Sequence, residues 1–112
     1  MKKKFYKTVK VEKNDITYLD KCFFVDYYII ETQKSTEREG YIKSFGIEAV
    51  KRYTDYIENN VIQEERVYDI TQSENEIYAF AEKIARNTVT PVCLADAASD
   101  FANEREPKKS AV

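Results

Sequence analysis

Hydrophobic positions recur along this chain with two different periods, and the change falls near residue 72. From Phe5 to Glu12 apolar and polar residues alternate, with Phe5, Val9 and Val11 on one face and Tyr6, Thr8 and Lys10 on the other. That is the period of a half-buried strand. Lys13-Asn14-Asp15 reads as a turn, because Asn and Asp tolerate positive φ and bond their own backbone. Strand character resumes at Ile16, and Cys22 to Thr32 is the most β-prone run in the chain. Phe23, Val25, Tyr27 and Ile29 share one face of that run; Phe24, Tyr28 and Ile30 share the other, interrupted by Asp26. With both faces largely apolar, it is expected to be the central strand, or one covered on both sides. Gln33 to Gly40 is expected to be a polar, mobile loop. Tyr41 to Tyr53 alternates again, and Gly46 within it predicts a bulge or a close backbone approach. Asp55 to Asn60 turns the chain into a last strand, Val61 to Ile70.

The period then becomes helical. Ser73 followed by Glu76 has the form of a capping box, in which the hydroxyl accepts from the N3 amide and the glutamate reaches back to the cap amide. Ile77, Phe80, Ala81 and Ile84 make one apolar stripe. Arg86 suits the last turn, and Asn87 is expected to take the left-handed position beyond it. Thr90 before Pro91 opens a second helix, with Leu94, Ala98, Phe101 and Ala102 on its apolar side. Strands followed by two helices predict an α+β fold: a four- to five-stranded antiparallel meander with both C-terminal helices packed on one face. The expected organisation is one domain over residues 1–104 and a flexible polar tail over 105–112.

Composition narrows the chemistry more than it identifies it. The 112 residues hold no histidine, two glycines and two cysteines, so Ser-His-Asp, Cys-His and histidine-metal sites are excluded. Gly40 and Gly46 alone build neither a phosphate loop nor a dinucleotide fingerprint. Cys22 and Cys93 are expected to be reduced packing residues, too few for a zinc site. No apolar run is long enough to span a membrane, and the expected compartment is the cytoplasm.

Charge is unevenly spread around a net of −2: residues 1–13 carry six lysines against Glu12, while the helical region is acidic. The simplest expectation is that the basic strand and the acidic helices attract one another or face water. Two sharper readings compete with it. Lys2, Lys3, Lys4, Lys7 and Lys10 beside Tyr6 could form a nucleic-acid platform, cations for phosphates and a ring for bases. Asp96, Asp100 and Glu104, at i, i+4 and i+8, could hold a hard cation in a histidine-free, metal-dependent enzyme, though the same spacing describes an ordinary solvated face. Nine tyrosines without a tryptophan suit strand edges and interfaces alike.

Three segments carry a resemblance: SFGIEAV (Ser44 to Val50), VYDIT (Val67 to Thr71) and NTVTPVCLADAASDF (Asn87 to Phe101). Through them the chain, over about residues 40–102, resembles a family of small proteins of unknown function from anaerobic Gram-positive bacteria. That family often has a bulkier polar residue, such as His, where this chain has Cys93. The resemblance implies the fold and a bacterial cytoplasm and supplies no catalytic residues. The resulting expectation is a non-catalytic protein-binding or regulatory module, without a cofactor. It would engage a protein partner and self-associate as a homodimer through an exposed strand edge.

Overall fold

Four strands follow one another in space as they do in sequence, and two helices then cross back over one side of them. The computed structural model describes residues 1–11, 23–38, 40–53 and 61–105. Its elements are β1 (Lys2–Val11), β2 (Phe23–Thr36), β3 (Gly40–Tyr53), β4 (Val61–Thr71), α1 (Glu74–Arg86) and α2 (Pro91–Arg105). The sheet is an antiparallel meander of order β1-β2-β3-β4, so the fold is α+β as expected. α2 packs on β4 and β3, and α1 lies across all four strands.

The core fills the space between sheet and helices. Val25, Tyr27 and Ile29 of β2 and Ile47 and Ala49 of β3 meet Ile77, Phe80, Ala81 and Ile84 of α1 and Leu94 and Ala98 of α2. The helical stripe and the period-2 face that the sequence marks are thus the two sides of one apolar layer. Tyr27 is fully buried in it, and its hydroxyl donates to the Val89 carbonyl between the helices at 2.7 Å.

Several expectations change. Gln33 to Thr36 is strand and not loop: β2 continues to Thr36, which pairs with Gly40, and Gly40 stands at φ +72°. Cross-strand pairing along a long hairpin outweighs the polar composition of its arms. In β1 the register shifts between Phe5 and Lys7, and this bulge exchanges faces. Tyr6 turns to the helix side with Val9 and Val11, whereas Phe5 opposes Tyr28 on the other side. Gly46 has the close approach its position predicts, since a Cβ there would collide with the Val67 carbonyl and stand 2.9 Å from Tyr68 Cα.

The helix ends also differ in detail. Ser73 caps α1 by accepting from the Glu76 amide at 3.2 Å, but the Glu76 carboxylate does not return to the Ser73 amide. It accepts from the Thr71 hydroxyl at 2.6 Å, and Thr71 Oγ1 in turn accepts from the Ser73 amide at 3.1 Å. Thr71 therefore relays the capping box. At the other end Asn87 stays at φ −93°, and Thr88 takes the left-handed position at φ +50°. The Thr88 amide donates to Ala85 and the Val89 amide to Ile84, the paired bonds of a Schellman turn, which Val89 closes by packing on the core. Cys93 is exposed on α2 and is not a packing residue. α2 runs through Arg105, into the segment expected to be tail. The turns expected at residues 13–15 and 55–60, the strand start at 16–22, Cys22 and residues 106–112 lie outside the described residues.

Candidate functional site: the uncovered face of the sheet

Among the described residues no helix covers the second face of the sheet, yet two carboxylates are buried in it. The register lays its side chains out in rows. Phe5, Tyr28, Glu48 and Arg66 stand side by side across the four strands; Thr8, Asp26, Val50 and Glu64 form the next row, and Lys10, Phe24 and Arg52 the one after. The Asp26 side chain is 9% exposed and accepts from Arg52 Nε at 2.7 Å and from the Thr8 hydroxyl at 2.5 Å. The Glu48 side chain is 1% exposed; Arg66 Nε donates to its Oε1 at 2.9 Å. Lys3 Nζ stands 3.0 Å from its Oε2, an ion pair without hydrogen-bond geometry, so that oxygen accepts no hydrogen bond.

The cations lie outside the acids they neutralise. Arg52, Lys3 and Arg66 side chains are 29%, 39% and 41% exposed, so solvent meets ammonium and guanidinium groups with the carboxylates beneath. Aromatic rings fill the spaces between. Lys3 Nζ sits 4.6 Å from the Tyr28 ring centroid and Arg52 4.5 Å from that of Phe24, both in cation–π contact. Phe5 meets Tyr28 edge-on at 5.6 Å. Tyr68 Oη on β4 approaches Met1 Sδ, ahead of β1, at 3.9 Å, so these side chains bridge the width of the sheet. Phe5, Tyr68 and Met1 remain exposed. The bound Asp26 carboxylate holds the Arg52 guanidinium firmly protonated, raising its pKa.

The five lysines and Tyr6 do not converge on one surface. Lys3 and Lys10 belong to the uncovered face, whereas Lys4, Lys7 and Tyr6 turn toward α1. Lys4 lies over the Tyr78 ring, Lys7 is 3.8 Å from Glu82, and Tyr6 donates to Glu82 at 2.6 Å. Lys2 is 4.0 Å from Glu31. Contacts between the basic strand and the acidic helix are thus present. Asp96 and Asp100 are exposed along α2, and Glu104 binds Lys83 of α1 at 2.8 Å. Among the described residues no group of three or more potential ligands is placed to hold a metal ion.

The described residues also form concavities, one at the end of the sheet and another among the helices. A cleft of about 540 Å³ lies beside the β2–β3 arm and the start of α1, where Asp69, at φ +56°, accepts from Lys34 at 2.7 Å. Lys34 first, and then the Ser44 hydroxyl, hold the Asp69 carboxyl below its ordinary pKa. The Thr71–Glu76 relay lines the same cleft, and these groups satisfy one another. A second cavity, of about 310 Å³, lies between the helices, floored by Phe80 and Ile84 and rimmed by the Lys83–Glu104 pair.

Sequence reasoning missed the uncovered face as a unit. Its one visible signal was polar residues, Asp26 and Glu48, at alternating positions of otherwise apolar strands. No described helix is long and apolar enough to cross a membrane. No curated protein and no solved structure matches the chain. A family described as of unknown function (DUF6514) matches residues 3–104, nearly the whole chain and all six elements but their outermost residues, and the protein belongs to that family.

Proposed function

We propose that this protein is a cytoplasmic, non-catalytic binding module that docks a protein partner on the uncovered face of its sheet. The observation that carries this reading is the layering of that face, with cations and aromatic rings outermost over buried carboxylates. Arginine and tyrosine concentrate at the energetic centres of protein interfaces, where a rigid ring or a planar fork loses little entropy on contact. Here they are already held in place by Asp26, Glu48 and the sheet, so docking orders few side chains. The strand edge is the weaker alternative. Lysines and a bulge along β1 are the features that deter edge-to-edge pairing.

The test is affinity capture from host lysate with the wild-type chain and with Phe5→Ala/Tyr68→Ala, at low and high salt, with and without nuclease. Both rings are exposed and neither anchors a buried carboxylate, so the variant retains the fold. A protein captured by the wild type, insensitive to nuclease and lost with the variant, is the expected result. Capture that disappears with nuclease, or that the variant leaves intact, refutes docking of a protein on this face.

A further inference from the structure

The acidic stripe of α2 and the cationic face of the sheet lie on opposite sides of the molecule. Leu94 and Ala98 turn into the core, so Asp96 and Asp100, at the opposite helical angles, point away from the sheet. We propose that these two surfaces are complementary halves of one contact: the uncovered sheet face of one copy takes the α2 stripe of a second copy. The inference rests on the uncovered face being a docking surface and names its occupant.

Two features of these surfaces select a second copy. The first is charge. An approaching carboxylate meets Lys3, Arg52 and Arg66 before it meets Asp26 and Glu48 under them, and the exposed Glu64 is the one acid of the rows described above that stands among these cations. The second is spacing. Glu48, which gathers Lys3 and Arg66, and Arg52 are four residues apart on β3, about 13 Å at the strand rise. Asp96 to Glu104 spans eight residues of α2, about 12 Å at the helix rise, with Asp100 between. The charge pairs therefore match in sign and in length. Glu104 is steadied by Lys83, and its carboxylate has lone pairs for a second cation.

The symmetry follows from placement. Each copy would use its sheet for one neighbour and its helix for another, so the contact is heterologous and repeats head to tail. Opposed charges across the contact make it sensitive to salt.

The experiment is sedimentation velocity of the purified chain over a concentration series at low and high salt, with two charge variants checked for native circular dichroism. Asp96→Lys/Asp100→Lys removes the helix half at exposed positions. Lys3→Gln/Arg52→Gln weakens the sheet half. The wild type should grow beyond a dimer with concentration at low salt and return to monomer at high salt. Each variant should weaken association about tenfold or more. An equimolar mixture of the two should form a 1:1 heterodimer and nothing larger, since each variant keeps the half the other lacks. If Lys3→Gln/Arg52→Gln unfolds, the helix variant mixed with wild type still decides the matter, because it should cap and shorten the wild-type assemblies. A wild type monomeric at every concentration, or assemblies that Asp96→Lys/Asp100→Lys leaves unchanged, overturns the inference. A partner lost with Phe5→Ala/Tyr68→Ala while the wild type stays monomeric would sink this inference alone and leave the docking face standing.

Discussion

The phenol of Tyr27 donates a 2.7 Å hydrogen bond to the carbonyl of Val89, joining the middle of the sheet to the turn between the helices. The bond is made inside the apolar layer, and burial pushes the Tyr27 phenol above its ordinary pKa. Tyr27→Phe leaves that carbonyl without its donor and should lower stability by about 1–2 kcal/mol. Urea unfolding should show a reduced midpoint with an unchanged slope. An unaltered midpoint would mean that water replaces the phenol there.

Gly46 tests the close approach of β3 and β4. Any Cβ at this position meets the Val67 carbonyl, which is backbone and cannot rotate aside. Gly46→Ala should therefore cost about 1–3 kcal/mol, as overpacking does. Exchange of amide hydrogens near Val67 and Tyr68 should rise more than exchange within α1. Equal protection in the two regions would show that the strain spreads beyond this contact.

Thr88 carries backbone strain that a single substitution should relieve. A β-branched residue at φ +50° crowds its own carbonyl, whereas glycine adopts that conformation freely. After the loss of chain entropy that glycine brings, Thr88→Gly should raise stability by about 0.5–1 kcal/mol. Thermal unfolding reads this directly, and a lowered Tm would contradict it.

The Lys3–Glu48–Arg66 cluster separates stability from recognition. Removing Arg66 alone leaves a nearly inaccessible carboxylate with Lys3 as its one remaining cation among the described residues, so Arg66→Leu should lower the unfolding midpoint. Replacing all three residues by leucine removes the desolvation cost together with the attraction, and should return stability to within about 1 kcal/mol of wild type. The triple variant should nonetheless lose partner capture. Retained capture would show that the exposed cations take no part in docking.

Acid should weaken the contact between β1 and α1. Tyr6, the largest cause, and then Lys7 hold the Glu82 carboxyl below its ordinary pKa of 4.5. A carboxyl depressed in the folded state contributes stability that is fully present above that ordinary value. The contribution is lost as pH falls through the lower, folded value. Tyr6→Phe should therefore flatten the decline of stability below about pH 4.5 and leave its slope near neutrality unchanged. Parallel acid limbs for the two proteins would rule Glu82 out as a contributor.

Most elements of this fold are specified by local patterns along the chain. The change from period 2 to period 3.6, the Ser73 cap, the Ile77–Ile84 stripe and the start of α2 at Pro91 can each be read from a few neighbouring residues, because backbone geometry alone sets them. The meander and the packed helices follow from the order of those patterns. Long-range packing set which face of β1 carries Phe5, since the bulge depends on how β1 registers against β2. It likewise placed Thr88 and not Asn87 in the left-handed position, where Val89 reaches the core. The uncovered face belongs to this second kind. Glu48 is drawn from β3, Arg66 from β4 and Lys3 from β1, and no spacing along the chain announces that they meet. Charges buried in a sheet find their partners across strands, so their pairing becomes visible only once the strands are in register.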